Sequence, residues 1–179
     1  EELFSIEQYV EMALQFSRLS AKSTDFVIGE VSLDKVVREA IHKYARLFVR
    51  KKIKMELSFI DTQVLTDEKW LEFVIEQILS NAIKYTAGGT ISVYLKEEPE
   101  QETKELVIED TGIGIAPEDL PRIFEKGYTG YNGHADKRST GIGLYLCRKI
   151  MRKLSHEITI ESEIGVGTKV HLEMRSRDK

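Results

Sequence analysis

The sequence predicts a two-layer α/β (α+β) sandwich, in which one mixed, mostly antiparallel sheet carries helices mainly on one face. Apolar residues recur at helical spacing in several segments, which indicates helices with one buried side. In other segments apolar and polar residues alternate, as they do in strands that bury one face. The length of 179 residues fits one domain of ordinary size with a short extension.

Residues 1–24 are predicted to form a helix and a linker ahead of the domain, which we place at residues 25–179. Apolar side chains fall near one side of this helix, at Leu3, Ile6, Val10, Ala13, Leu14 and Leu19. An isolated helix cannot leave so large an apolar stripe in water. The stripe therefore needs a partner, which is either another helix or the domain itself.

The domain is predicted to begin with a strand, FVIGEV, followed by a helix that Ser32 can cap. A short strand, KMELSFI, comes after that helix. The apolar positions of the helix are Val36, Val37, Ile41, Tyr44 and Phe48.

A second helix is predicted from Trp70 to Tyr85, and its flank carries a row of polar side chains. Gln77, Asn81 and Lys84 are spaced four and three residues apart, so they share one side of the helix. Amide oxygens suit a magnesium ion that already carries phosphate oxygens and waters, and a nearby lysine can face phosphate. The alternative interpretation is a solvated helix flank with an incidental asparagine.

Two strands are predicted to follow, joined by the acidic run EEPEQETKE as a hairpin turn. The second strand ends in VIEDTGIGI, which places Asp110 ahead of Gly112 and Gly114. A carboxylate beside backbone without side chains can accept a hydrogen bond from an exocyclic amine while a flat ring lies over the main chain. This arrangement predicts a purine pocket, although an isolated motif of this kind is more often an ordinary turn.

A long segment then leads to a second glycine-rich element. From Ile115 to Ser139, prolines, glycines and basic residues predict a short helix near Pro117 to Phe124 and then a mobile loop. The next element, STGIGL, opens a helix predicted from Gly141 to Leu154, where free amides and the helix dipole favour phosphate. Its glycines could instead serve only tight packing of helix on sheet. Two more strands are predicted around the turn at residues 164–167.

Four of these segments resemble motifs of one family. QILSNAIKYT, EDTGIGI, RIFEKGYTG and STGIGLYL occur in the order of the asparagine box, first glycine box, phenylalanine box and second glycine box of bacterial sensor histidine kinases. The resemblance covers about residues 26–174 and is to the catalytic ATP-binding domain of these kinases, within the GHKL superfamily. It implies an ATP-dependent protein-histidine kinase, with ATP and Mg²⁺ as cofactors and a long ATP lid.

The resemblance also assigns roles to residues. Asn81 would hold Mg²⁺, assisted by Gln77, which stands where many members have an asparagine, and Asn81 and Lys84 would be the catalytic residues. Asp110 would accept from the adenine amine. The other residues expected at the nucleotide are Tyr85 near the base, Gly112 and Gly114 leaving room for the ring, Phe124 anchoring the lid, Lys126 as a lid cation, and Thr140, Gly141, Ile142, Gly143 and Leu144 at the phosphates. Thr129 occupies a lid position where many members carry an arginine, and Lys126 or Arg138 could supply that charge.

The resemblance further implies partners outside the chain. The leading helix resembles the end of a dimerising hairpin whose histidine would attack ATP, and the phosphoryl group would pass to a response regulator. The homodimer and any membrane spans would depend on missing upstream segments, so we expect the cytoplasmic domain of a cell-membrane sensor. His156 imitates the acceptor motif, but it lies after the second glycine box and before a strand, so we reject it as the acceptor.

Composition excludes other classes of protein. A formal net charge of −4 without a basic stripe argues against a nucleic-acid partner. No apolar run reaches the roughly 20 residues that span a bilayer. The single cysteine, Cys147, lies in an apolar helical segment and is predicted to be a buried thiol. Two alternatives to a histidine kinase remain, namely a serine kinase or other ATPase of the same superfamily, and an ATP-binding scaffold without transfer.

Overall fold

The computed structural model describes residues 2–21, 25–58, 60–96, 102–129 and 141–176. Five α-helices lie within these ranges: α1 (Glu2–Ser20), α2 (Leu33–Lys43), α3 (Ala45–Arg50), α4 (Glu68–Tyr85) and α5 (Gly143–Lys153). The strands within the same ranges are β1 (Gly29–Ser32), β2 (Lys54–Leu57), β3 (Gln63–Thr66), β4 (Thr90–Lys96), β5 (Thr103–Asp110), β6 (Glu157–Glu163) and β7 (Gly167–Arg175).

The main sheet has five strands in the order β2-β4-β5-β7-β6. Strand β2 runs parallel to β4, and the remaining neighbours are antiparallel, so the predicted mixed, mostly antiparallel sheet is confirmed. Helices α2, α4 and α5 pack together on one face, and α5 also contacts β6. The core between the two layers includes Leu71, Ile75, Ile78, Ile91, Val93, Leu106, Ile108, Leu146, Ile150 and Leu172, all at most 2% exposed.

The predicted helix caps and hairpins are mostly found. The Ser32 hydroxyl accepts a hydrogen bond from the Lys35 amide at 3.4 Å, as expected for the cap of α2. Helix α4 begins at Glu68, two residues earlier than predicted, because the Asp67 carboxylate caps it through the Trp70 amide at 3.1 Å. Strands β4 and β5 pair antiparallel, as the hairpin prediction requires, while residues 97–101 of its turn lie outside the described ranges.

The prediction of one long helix after Ser32 is wrong, because the helix breaks at Tyr44. This residue ends α2 and begins α3, and its amide bonds to the Ile41 carbonyl at 3.1 Å instead of continuing the α-helical ladder. Its side chain is 1% exposed, so the break directs a large aromatic ring into the core. Phe48, assigned to the same helix, lies in α3.

The first strand is shorter than predicted, and its partner strand was not foreseen. β1 starts only at Gly29, because the Val27 amide donates to the Asp67 carboxylate at 2.7 Å instead of to a neighbouring strand. The partner, β3, pairs antiparallel with β1 to form a separate two-stranded sheet. The strand predicted over KMELSFI is likewise limited to Lys54–Leu57.

Two helix predictions in the second half of the domain need correction. The short helix expected near Pro117 to Phe124 is a 3₁₀ turn at Leu120–Arg122. Helix α5 begins at Gly143, not at Gly141, because Gly141 has a φ of +66°, which a right-handed helix cannot contain. The final two strands and their turn at residues 164–167 are found where the alternation predicts them.

Helix α1 contacts the domain with one side and leaves the other exposed. Leu19 is 2% exposed, and Met12 and Phe16 pack against the core. Ile6, Val10 and Leu14 of the predicted stripe are each more than half exposed. Own-domain packing therefore accounts for only part of the apolar surface of α1. None of the helices in the described part of the chain has the length and apolar character needed to cross a bilayer.

Candidate functional site

The carboxylate at the end of β5 is held in a buried, backbone-lined position. Asp110 is 9% exposed, and its Oδ1 accepts a hydrogen bond from the Gly112 amide at 2.8 Å. Burial raises the pKa of the Asp110 carboxyl above its usual value, and hydrogen bonds from the Gly112 and Thr168 backbones partly oppose that rise. The fold thus buries a carboxylate although burial disfavours its charged form. Carboxylates of this kind are often found at functional positions.

The end of α4 lies directly against the first glycine turn. The Tyr85 carbonyl accepts a hydrogen bond from the Ile113 amide at 3.1 Å. A Cβ at Gly112 would lie 2.4 Å from the same carbonyl oxygen, so only glycine fits there. The asparagine box and the first glycine box are therefore joined by backbone contacts.

Position 114 requires glycine for a separate structural reason. Its φ is +75°, and a Cβ would lie 2.2 Å from the carbonyl oxygen of Glu163, at the end of β6. The Gly165 amide also donates to the Ile113 carbonyl at 2.9 Å. The turn between β6 and β7 thus supports the glycine turn from the side opposite α4. The assignment of Gly112 and Gly114 to a bound ring stays a prediction.

Thr86, which was not among the predicted site residues, lies beside the first glycine turn. Its side chain is 1% exposed, and its Oγ1 has no hydrogen-bond partner in the described part of the chain. This oxygen lies 2.9 Å from the position a Cβ of Gly112 would take, and Asp110 Oδ1 lies 2.8 Å from that position. A buried hydroxyl without a partner, next to a buried carboxylate, marks polar hydrogen-bonding capacity at this end of the site. Thr86 is the last residue of the segment QILSNAIKYT, so its place in that motif was the available sequence signal.

The predicted polar row on α4 divides into two environments. Gln77 is 7% exposed, and its Oε1 lies 3.4 Å from the position of a Cβ on Gly143, so it lies between α4 and the start of α5. Asn81 and Lys84 are only half-buried, and the Lys84 ammonium lies 5.2 Å from the centre of the Tyr85 ring. The contact with α5 gives Gln77 a packing role, and its assignment to a metal stays a prediction.

The second glycine element closes the base of the lid. The Gly127 amide donates to the Gly141 carbonyl at 2.9 Å, and a Cβ on Gly141 would lie 2.5 Å from the Gly127 carbonyl carbon. Helix α5 begins just beyond this contact, and no side chain within the described ranges caps it at Ile142. The first-turn amides at a helix N-terminus suit an anion.

The lid residues are only partly described. Phe124 packs against the core, and the Arg148 guanidinium lies 5.1 Å from its ring, while its role as an anchor of the lid stays a prediction. Lys126 is exposed, with its ammonium 4.7 Å from the Phe16 ring of α1. Leu144, in the first turn of α5, is half-buried. Thr140 and Arg138 fall within residues 130–140, outside the described part, so their predicted roles have no structural counterpart here.

Helix α1 also reaches the site. The Gln8 amide donates to the Ser80 hydroxyl at 3.0 Å, one residue before Asn81. The Met12 methyl group lies 3.7 Å from the position of a Cβ on Gly143. The leading helix therefore borders the edge of the site formed by α4 and α5.

The remaining reactive side chains lie away from this site. His156 is 2% exposed and 3.0 Å from the Thr66 hydroxyl through Nε2, and burial, assisted by the charge of Arg175, lowers its pKa to about 4. Such burial agrees with rejecting it as an acceptor. Burial likewise raises the pKa of the Cys147 thiol, which is 0% exposed. Among the described residues, no three His, Cys, Asp or Glu side chains form a group that could hold a metal.

Sequence comparison identifies the family. The profile of histidine kinase-, DNA gyrase B- and HSP90-like ATPases matches residues 66–178, from the end of β3 to the C-terminal end of the chain. The chain belongs to this ATPase family. The match includes all four motifs and so covers both ends of the site described above.

Named relatives of this ATPase domain are sensor kinases. It is 38% identical over 95% of its length to the sensor histidine kinase YxdK of Bacillus subtilis (strain 168), and 35% identical over 93% to the sensor protein BceS of the same organism. These matches cover 53% and 49% of the relatives, so the chain spans about half the length of the curated relatives it matches.

A solved structure shows the same fold. Full-length ShkA, crystallised in complex with AMPPNP, superposes on 95% of this ATPase domain with a TM-score of 0.78 and 21% identity, over 36% of the ShkA chain. The catalytic domain of the histidine kinase ThkA superposes on 84% of this chain with a TM-score of 0.72 and 22% identity, over 97% of the ThkA chain, so the predicted sandwich is the fold of a histidine kinase catalytic domain.

Proposed function

We propose that this chain is the ATP-binding catalytic domain of a sensor histidine kinase, which transfers the γ-phosphoryl group of ATP to a histidine on a separate dimerising hairpin. The observation that carries the proposal is that both glycine boxes approach α4, the helix that carries the asparagine box. The first glycine box bonds to the end of α4 through Ile113 and Tyr85, and the second lies beside its middle, where Gln77 Oε1 is 3.4 Å from the position a Cβ of Gly143 would take. A nucleotide along α4 would meet both.

The residues at the first contact fit the base. The Asp110 carboxylate accepts hydrogen bonds only, so it complements the exocyclic amine of adenine and repels the carbonyl oxygen that guanine presents there. The unpaired Thr86 hydroxyl adds polar capacity beside it. This end of the proposed site would therefore select adenine over guanine.

The residues at the second contact fit the phosphates and a magnesium ion. Gly141, Ile142 and Gly143 would bring the start of α5 toward the phosphates, and Lys84 and Lys126 would supply positive charge. Asn81, with Gln77 as a second amide, would hold Mg²⁺, which neutralises charge on the phosphate oxygens. Two amide oxygens suit an ion that keeps most of its other ligands from water and phosphate.

The chain positions the reaction, and the hairpin supplies the nucleophile. A bond forms between the attacking imidazole nitrogen and the γ-phosphorus as the bond to the β–γ bridging oxygen breaks, and ADP leaves. Asn81 and Lys84 hold the phosphates in line for this attack. A second copy, a membrane anchor and a response regulator that accepts the phosphoryl group would complete the pathway.

A phosphorylation assay in trans tests this function. The chain is incubated with labelled ATP and Mg²⁺, together with either a separately produced dimerising hairpin or a candidate serine substrate. We expect acid-labile, alkali-stable label on the hairpin histidine. Label on serine would favour another kinase of the superfamily, and tight ATP binding without any transfer would favour a scaffold.

A further inference from the structure

The end of α4 is held by a lysine from the segment after α3. The last carbonyls of an α-helix lack partners within the helix. Here the Lys51 ammonium donates to the Ile83 carbonyl and, at 3.2 Å, to the Lys84 carbonyl. The next carbonyl, that of Tyr85, accepts from Ile113 of the first glycine turn. Of these three consecutive carbonyls at the end of α4, two thus accept hydrogen bonds from Lys51, and the third accepts from the glycine turn of the proposed base pocket.

The backbone around Lys51 is itself fixed. Helix α3 ends in a Schellman turn, in which the Ile53 amide bonds to the Phe48 carbonyl at 2.9 Å and the Lys52 amide bonds to Val49 at 3.2 Å. Lys52 takes the left-handed conformation of this turn, with a φ of +55°. Phe48 and Ile53 are both 6% exposed, so the turn is anchored in the core.

The same segment also holds the chain beyond α4. The Lys51 carbonyl accepts from the Gly88 amide at 3.2 Å, and the Lys54 amide donates to the Gly89 carbonyl at 2.9 Å. The ammonium of Lys51 therefore bonds to the last turn of α4, and the backbone of Lys51 bonds to the segment that follows that turn. The positive charge also lies at the negative end of the helix dipole, where it is favourable.

A displacement of this helix end would reach the base pocket directly. Tyr85 O is the atom that a side chain at Gly112 would meet at 2.4 Å, and the Gly112 amide is a donor to Asp110. Because the Tyr85 carbonyl also accepts from the Ile113 amide, a shift of the last turn of α4 would move the glycine turn, and with it the Gly112 amide that donates to the Asp110 carboxylate. Lys51 itself is engaged by two carbonyls and half-buried, and burial lowers its pKa, so it is poorly placed to serve as a phosphate ligand.

We propose that Lys51 is a positioning residue for base recognition, which acts through the end of α4 on Tyr85, Gly112 and Asp110. This inference rests on the proposed ATP site and assigns a residue outside its four motifs. It requires that loss of the lysine weaken adenosine and ATP to the same extent, because the effect lies at the base and not at the phosphates.

Calorimetric titration of Lys51→Met with adenosine and with Mg·ATP tests this inference, at a temperature where denaturation curves show the variant to be folded. We expect both affinities to fall by about fivefold, the effect of one favourable charge at a helix end. Lys51→Arg, which keeps a donor and the charge, should restore most of the affinity. Lys54→Met is the matched control, because Lys54 is an exposed neighbour paired with Glu56, and its affinities should stay at the wild-type level.

Unchanged affinities in a folded Lys51→Met variant would overturn the inference and leave the proposed function standing. A loss for ATP alone, with adenosine unaffected, would overturn it as well, because it would place Lys51 at the phosphates. If Lys51→Met does not fold, Lys51→Gln, with a shorter donor, is measured in its place and should show the same paired loss. Failure of the wild-type chain to bind either ligand would instead overturn the proposed function, and this inference with it.

Discussion

The two ends of the proposed nucleotide site are built differently. The base end consists of backbone packed on backbone, where Gly112 meets the end of α4 and Gly114 meets the turn between β6 and β7 at distances that leave no room for a Cβ. The phosphate end has one contact of this kind, between Gly141 and Gly127 at the base of the lid, and otherwise consists of the start of α5 and side chains such as Lys126 that are exposed or contact α1. In the proposed site, the base end therefore has more backbone contacts that exclude a side chain than the phosphate end has.

The largest expected effect comes from comparing one glycine substitution at each end of the site. Gly114→Ala should lower the free energy of unfolding by about 3 kcal/mol, because it combines a left-handed backbone with overpacking against Glu163. Gly143→Ala should change it by less than about 1 kcal/mol, because its Cβ would make ordinary contacts and alanine favours a helix. Urea denaturation measures both. Equal losses would contradict this difference between the two ends.

Removing the charge at the base end should weaken ATP binding without lowering the free energy of unfolding. Asp110→Asn should weaken ATP binding at least about tenfold, since a hydrogen bond to a charged group contributes about 1.5 to 3 kcal/mol. Burial raises the pKa of this carboxyl in the folded state, so its ionisation at neutral pH opposes folding, and the variant should unfold at the same or a higher urea concentration.

The matched control for Asp110→Asn is Glu109→Gln. Glu109 is the adjacent residue of β5, where it contacts Tyr94 at 3.0 Å and Lys169 at 3.7 Å, away from the glycine turn. Calorimetry should show wild-type ATP affinity for this variant. If the two variants bind ATP equally well, Asp110 is not in the pocket.

At the phosphate end, the metal assignment is tested by magnesium coupling. In the wild type, Mg²⁺ should strengthen ATP binding, and Asn81→Ala should abolish that gain, a loss of about fivefold if the coupling lies near 1 kcal/mol. Ser80→Ala, at the neighbouring position that contacts Gln8, is the control and should keep the gain. Titrations with and without a chelator measure both variants, and wild-type coupling in Asn81→Ala would contradict the assignment.

The smallest effect is expected from the exposed lid cation. Lys126→Ala should weaken ATP binding by about twofold at low salt and by less at high salt, as is typical of exposed charges. Lys153→Ala, in the last turn of α5, should have no effect on binding. A loss from Lys126→Ala that exceeds that of Asp110→Asn would reverse the comparison between the two ends.

The elements that the sequence predicted well are those whose signals are local. Helix α4 has a long apolar face, the last two strands alternate regularly, and the glycine motifs keep a fixed spacing. Strand β3 was missed because it has only four residues and its partner, β1, is separated from it in sequence by α2, α3 and β2. The break at Tyr44 was missed because no glycine or proline marks it.

The site was predictable in its motifs but not in its supports. The glycines at positions 112 and 114 were assigned to a ligand, whereas the structure shows that they also permit backbone contacts within the fold. Lys51 carries no pattern of its own, because its importance depends on where the end of α4 meets the glycine turn. Contacts between segments far apart in sequence leave no periodic trace.

The most direct test of the central claim is a crystal structure of the chain with Mg·AMPPNP. We expect one nucleotide along α4, with its amine on Asp110, its ring beside Gly112 and its phosphates at Gly141 and Gly143. The contacts at Gly112 and Gly114 should be unchanged, and any movement should be confined to the lid and the start of α5. An empty cleft, or a nucleotide whose base lies at the α5 end, would contradict the account.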